Sequence, residues 1–362
     1  MKKPMKKANR NFRSLSPAKK LLRASLLHTS LLCAGFVACS PQPQSLTRME
    51  FLIGTVCTLT LYDTPGEEVF RKVFDRVREI ETRMSFTLPD SDIGRVNAAA
   101  GKFPVPVTEE TFALVEEGLE FSRLSGGAFN IAVGPLIALW GIGTERAALP
   151  QEADLVAQMR KCDFTKVVLN KTEKTIFLEE TGMALDLGAI AKGYAADEAA
   201  RILREEGISH GIIDFGGNIF VLGQRPGAEG WRVGVQNPAE NRGQYFGIIT
   251  ASDLSVVSSG VYERFFIAPD GQRYHHILDT KTGHPVRNGL AQVTVTSRSS
   301  TRADAFSTTL FVLGLEAGME LAEKTEGIEA LFVTEDKKLY ASRGMKEILR
   351  LTDQSFVFET EF

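Results

Sequence analysis

The clearest periodicity in the chain is helical. Val69, Phe70, Val73, Val77, Ile80 and Met84 recur at three- and four-residue steps with charged residues between them, which predicts an amphipathic helix over 67–84. Thr108 has the hydroxyl of a cap, and Glu109 and Glu110 follow it, with Phe112, Val115 and Leu119 pointing inward; a second helix is predicted to start there. Residues 51–62 (FLIGTVCTLTLY) instead alternate apolar and Thr positions and read as a strand. From Ile212 onward short β runs dominate: IIDFGGNIFVLG, WRVGV, YFGIIT, LSVVSSG, YHHILD and AQVTVTS, separated by Gly, Pro and Asn. Helices at about 189–206, ended by Gly207, and at about 302–313 sit among these segments. Strands and helices mix without strict βαβ alternation, which is the pattern of an α+β fold.

Composition agrees with a folded protein: 362 residues, 43% hydrophobic and 24% charged, with no fixed-period repeat that would indicate a solenoid or propeller. The N-terminus changes the picture. Residues 1–20 carry Lys and Arg but no acid, and 21–38 are mostly apolar, interrupted by Arg23 and His28, which reads as a secretory signal too short and broken to span a membrane. Phe36-Val37-Ala38-Cys39 resembles a bacterial lipobox, so 1–38 is expected to be a lipoprotein signal peptide. Residues 39–46 are expected to form a tether after a lipidated Cys39, and 47–362 a single domain held at a membrane in the bacterial periplasm. Residues 1–38 hold nine basic residues and no acid, and their removal leaves 33 basic against 45 acidic residues, a net charge of −12. So acidic a domain repels nucleic acid, and a phosphate ligand needs a metal or a local cluster of donors. No CxxC is present and only five His accompany four Cys, which excludes a zinc cluster. Cys57 and Cys162 are expected to be buried thiols.

Four segments combine permissive Gly with polar side chains, as sites do where a ligand approaches the main chain closely. They are Gly126–Asn130 with Val133-Gly134-Pro135; Leu185–Asp197 (LDLGAIAKGYAAD); Asp214–Asn218 (DFGGN); and Tyr274–Asp279 with Thr282-Gly283 and Ala303–Thr308. Asp304 and Thr308 stand four apart in a predicted helix and place a carboxylate and a hydroxyl on one face, hard oxygen ligands suited to Mg²⁺. The same spacing also fits a cap at Thr301 with Asp304 completing a capping-box-like turn. Asp186 and Lys192 flank a strand-to-helix turn whose free amides favour an anion. His275 and His276 are adjacent in a β run, so alternation sends the rings to opposite faces, one of them available as a base in a cleft. The Gly pair of DFGGN also suits a β-bulge. Gly141-Ile142-Gly143-Thr144-Glu145-Arg146 lacks the third Gly of a dinucleotide fingerprint, and no Walker-type GxxxxGK[ST] occurs.

In this order, Ile53-Gly54-Thr55, Gly127-Ala128-Phe129-Asn130, DLGAIAKGYAAD, DFGGN, HHILDTKTGHP and ADAFSTTLFVLG resemble the ApbE family of FAD:protein FMN transferases, over about residues 47–345. The resemblance implies a domain of largely antiparallel strands with packed helices and an FAD cleft between two subdomains. It implies Mg²⁺-dependent transfer of FMN from FAD to a Thr or Ser hydroxyl of an exported flavoprotein, such as a subunit of an Rnf- or Nqr-type redox pump, with AMP released. Hydrolysis of FAD to FMN and AMP is a further family activity. Carried onto this chain, the metal ligands would be the backbone carbonyl of Ala189 and the side chains of Asp304 and Thr308, which sets aside the capping role for Asp304. FAD contacts would come from Ile53, Ala128, Phe129, Asn130, Asp186, Lys192, His276 and Ile277, and the catalytic groups would be Lys192, Asp304 and His276, the last as base. Asn130 stands where many members have Asp, and Met84-Ser85-Phe86-Thr87 lacks the Tyr that members often place there. The alternative reading is a non-catalytic, lipid-anchored FAD carrier, which would be marked by loss of a metal ligand; both side-chain ligands are present.

Overall fold

The computed structural model describes residues 44–269 and 271–359. The strand Leu46–Leu52, which begins on the last residue assigned to the tether, pairs with Thr55–Leu61 to open a nine-stranded sheet. The sheet continues through Gly211–Phe215, Asn218–Leu222, Leu254–Gly260, Leu290–Ser297, Glu329–Thr334, Lys338–Ala341 and Val357–Phe358. Every pairing is antiparallel except the last. This is the α+β class read from the sequence.

All eight residues of Leu290–Ser297 are buried, because this strand is covered on both faces. On one face lie the helices Ala191–Glu205 and Ser300–Leu313, backed by Glu67–Met84, which falls on its expected bounds. On the other face a three-stranded sheet of Trp231–Gln236, Tyr245–Ala251 and Leu349–Leu351 encloses a second apolar layer. The alternation of strand side chains divides neighbours between these layers: Val257 and Phe332 join the helix side, Val256 and Leu331 the sheet side. Each such fully buried side chain stabilises the fold by about 1.5–3 kcal/mol. A third cluster, around Leu136, Trp140, Leu155, Cys162 and Leu278, forms a small separate lobe.

Two expected strands turn out to be hairpins. Residues 51–62 fold back at Ile53-Gly54, with φ of 47° and 70°, so that Leu52 faces Thr55 across a two-residue turn of the I′ kind. The period-2 pattern continues through such a turn, and a β-branched Ile at positive φ conceals it from a sequence reading. In IIDFGGNIFVLG, Gly216 and Gly217 (φ 66° and 91°) make the corresponding turn rather than a bulge, and Asp214 Oδ1 accepts from Gly217 N at 2.8 Å. In YHHILD only Tyr274-His275 is strand, the end of Arg273–His275. Cys57 and Cys162 are buried free thiols, as expected, and burial pushes them up to about 12 and about 11.

Candidate active site

Residues from all four Gly-rich segments meet in one cleft of about 610 Å³ between the main sheet and the Trp140 lobe. Ile53, Ala128, Phe129, Asn130, Asp186, Ala189, Lys192, His276, Ile277, Asp304 and Thr308 all line it.

Asp304 is placed by helix packing. Ser299, not Thr301, caps the helix Ser300–Leu313, its Oγ accepting from Arg302 N at 3.2 Å. The Asp197 carboxylate covers the rest of the first turn, accepting from Ser300 N at 2.7 Å, Thr301 N at 2.9 Å and Thr301 Oγ1 at 2.7 Å. Asp304, one turn further on and 3% exposed, therefore has no capping task. It accepts instead from Gly193 N at 2.9 Å, in the first turn of the neighbouring helix, where the dipole favours a carboxylate. Lys192 Nζ lies 3.1 and 3.2 Å from its two oxygens and 3.2 Å from the Gly188 carbonyl. Thr308 Oγ1 is 3.3 Å from Ser259 Oγ, which also meets Ser307 Oγ at 2.8 Å.

The donor set here is a carboxylate, a hydroxyl and the carbonyls of the 188–189 turn, all oxygen. Among the described residues no group of three or more His, Cys, Asp or Glu could hold a metal. An ion bound here would rely on phosphate oxygens and water for the rest of its shell, which fits Mg²⁺ and excludes zinc-like coordination. The Lys192 ammonium already sits on the Asp304 and Gly188 oxygens, so these groups create a demand for positive charge. The cleft as a whole sharpens it: Lys192, Arg242 and Arg264 face Glu81, Asp186, Glu263 and Asp304.

His276 lies just past the strand end. Its backbone N and its Nδ1 both meet the Arg264 carbonyl, at 3.0 and 3.2 Å. A carbonyl can only accept, so Nδ1 carries the proton and Nε2 is left as the acceptor. Burial, then the neighbouring Arg264 guanidinium, push its pKa down to about 3, so the ring is neutral at pH 7. His275 turns the other way: Nε2 meets the Val286 carbonyl at 2.8 Å, and the ring packs edge-on against Phe311. It is structural, and the two rings occupy opposite sides as alternation required. Ile277, 5% exposed, donates its N–H to His275 Nδ1 at 3.3 Å.

Asp186 Oδ1 accepts from Gly188 N at 2.6 Å, and burial pushes its carboxyl above the usual range. The Asn130 amide is engaged within the protein, donating to the Cys162 carbonyl at 2.7 Å and to Thr280 Oγ1 at 3.3 Å and accepting from Ala132 N at 2.8 Å. It fixes the cleft wall that carries Ala128 and Phe129. Arg264 was not singled out from the sequence, yet its Nη2 reaches the Gly54 carbonyl at 3.1 Å and ties the Ile53-Gly54 turn to the His276 loop. Asn218, from the DFGGN segment, lines the cleft too, and Arg242, Ser258 and Ser259 also line it and were missed. Only the small polar run Ser258-Ser259-Gly260 at the end of a strand hinted at them.

A positive-φ hairpin tip, a strand-to-helix turn and a buried helix carboxylate thus converge on one cleft of an α+β fold. The ApbE family model matches residues 53–332, and the chain belongs to that family. An FAD:protein FMN transferase of Treponema pallidum (strain Nichols) is 39% identical over 330 residues, covering 86% of this chain and 91% of that protein. One from Klebsiella pneumoniae (strain 342) is 37% identical over 291 residues, covering 80% and 90%. Among solved structures, an ApbE protein of Thermotoga maritima superposes with a TM-score of 0.78 at 29% identity, covering 85% of this chain and all of that one. The flavin transferase ApbE of Vibrio cholerae gives 0.76 at 29% identity, covering 84% and 99%.

Proposed function

We propose that this enzyme moves FMN from FAD onto a Thr or Ser hydroxyl of an exported flavoprotein, releasing AMP, with Mg²⁺ as cofactor. The observation that carries the reading is the meeting of Asp304, Thr308, Lys192 and a neutral His276 in one cleft whose acidic side chains outnumber its basic ones. Asp304, Thr308 and the backbone carbonyl of Ala189 would hold the metal, which would supply the positive charge that a pyrophosphate needs in such a site.

The chain's own groups then have distinct tasks. Ile53 and the Gly54 backbone form one lip, and Ala128, Phe129 and Ile277 form walls against which the dinucleotide is held in line for attack. The Lys192 ammonium, a compact point charge, leaves the Asp304 oxygens for a phosphate oxygen. His276 Nε2 takes the proton of the acceptor hydroxyl, whose oxygen bonds to the FMN phosphorus as that phosphorus separates from the oxygen that departs with AMP. Water in place of the hydroxyl gives free FMN and AMP, the hydrolytic outcome of the same site. The lipid anchor at Cys39 and the periplasmic location belong to this proposal, and Cys39 lies outside the described residues. An Rnf- or Nqr-type subunit is the acceptor class it favours.

The test follows AMP and protein-bound flavin by chromatography and mass, with FAD, Mg²⁺ and an acceptor protein. Asp304→Ala is expected to lower AMP release at least about 100-fold, on the scale of losing a main charge-stabilising group. An undiminished rate would overturn the metal assignment, and FAD left intact by the unaltered enzyme would favour the carrier reading.

A further inference from the structure

One polar group on the cleft wall finds no partner in the protein. Asn218 opens the strand Asn218–Leu222 directly after the Gly216-Gly217 turn, is 1% exposed and borders the cleft. Its Oδ1 accepts from Ser300 Oγ at 2.5 Å, and the Ser300 hydroxyl in turn lies 2.9 Å from Ser255 Oγ. This chain of hydroxyls fixes how the carboxamide is turned. Among the described residues, Asn218 Nδ2 is the buried side-chain nitrogen or oxygen without a hydrogen-bond partner.

A buried N–H donor left unmet carries the full cost of its lost hydration, and native interiors rarely keep one without a use for it. Ser300 begins the helix on which Asp304 stands one turn later, so the amide is tied to the wall that carries the proposed metal ligand. On its other side the Gly217 backbone is bare, and a Cβ there would meet nothing within 4 Å. Asn218 thus borders the cleft beside a bare stretch of backbone, with its Nδ2 enclosed at the wall.

We propose that Asn218 is a substrate-binding residue whose Nδ2 donates to an acceptor atom of the bound flavin dinucleotide, held in aim by Ser300. This rests on the reading that FAD occupies the cleft. The donor tells a correctly seated dinucleotide from a displaced one, because only the former relieves the unmet N–H.

The experiment titrates the unaltered protein, Asn218→Leu and Asn218→Asp with FAD, FMN and AMP separately by calorimetry, and melts each protein without ligand. For Asn218→Leu, FAD affinity is expected to fall about ten-fold or more, with a matching loss for one of FMN or AMP that identifies the half contacted. Its ligand-free melting temperature reports the other side of the amide, since the substitution removes the unmet donor and also the Oδ1 that accepts from Ser300 Oγ; the affinity loss is read at a temperature where the variant is folded. Asn218→Asp nearly preserves shape but sets an acceptor against an acceptor, so it should bind FAD more weakly still. Unchanged FAD affinity in Asn218→Leu, or Asn218→Asp binding as tightly as the unaltered protein, would overturn the proposal while leaving the transferase reading intact. Failure of the unaltered protein to bind FAD would overturn both.

Discussion

At neutral pH the His276 imidazole is uncharged because its place in the cleft wall, beside the Arg264 guanidinium, makes the protonated ring costly. A ring pushed down to about 3 stays unprotonated across the working range, so transfer should show no inflection near pH 6.5 from this group. A pH–rate profile from 5 to 8 in the unaltered enzyme checks this, and a break near 6.5 that His276→Gln abolishes would contradict it. Stability carries the same signature. The unfolded ring titrates near 6.5, so between about pH 3 and 6.5 the unfolded state binds the extra proton. The contribution is complete above that window and is lost as pH falls through it. His276→Gln should therefore flatten the fall in melting temperature between pH 7 and 5. Alternation sent one of the two adjacent rings to a cleft and the family resemblance pointed to His276; its lowered pKa comes first from burial and then from Arg264, twelve residues away in sequence, and no local pattern reveals either.

At the scale of elements, the site depends on how closely two helices approach. A Cβ at Gly193 would lie 2.3 Å from the Ser300 carbonyl, so the start of Ala191–Glu205 rests against the start of Ser300–Leu313. That contact lets Gly193 N reach Asp304 at 2.9 Å. Gly193→Ala should separate the helices, destabilise the fold by about 1–3 kcal/mol and reduce AMP release, measured by denaturant unfolding and by the release assay. Retained stability and rate would show that the backbone yields there without moving Asp304. The hairpin tip is the second such element. Ile53 holds a φ of 47°, a conformation that costs a β-branched residue of order 1–3 kcal/mol, and it does so on the lip of the cleft. Helix Glu67–Met84 was legible to its ends because its stripe is strictly periodic. The hairpins were not, because alternation continues across a two-residue turn.

For the whole molecule, charge is the property the sequence states most directly, and attachment is a proposal built on the N-terminal residues. No described helix is long and apolar enough to cross a membrane, and attachment as proposed rests on lipid at Cys39. Cys39→Ser is expected to move the protein from the membrane fraction to the soluble one while the purified enzyme still releases AMP. Membrane association that survives the substitution would disprove the anchor. Removal of 1–38, as proposed, would leave 33 basic against 45 acidic residues, a balance in which a cation would be the natural counterpart of a pyrophosphate in the cleft.

By itself the sequence determined the α+β class, the long amphipathic helix, the buried thiols and the residue types of the cleft. Each of these follows from local periodicity, from composition or from runs of Gly with polar neighbours. Tertiary structure alone decided that Asp197 would cover the helix start and free Asp304 from capping, that Asn130 would spend its amide on the Cys162 carbonyl, and that Arg264 would bind the hairpin tip to the His276 loop. It also left Asn218 Nδ2 without a partner. The physical reason is the same in each case. A hydrogen bond between residues far apart in sequence is set by where sheets and helices pack, and a chain read residue by residue carries no record of that distance.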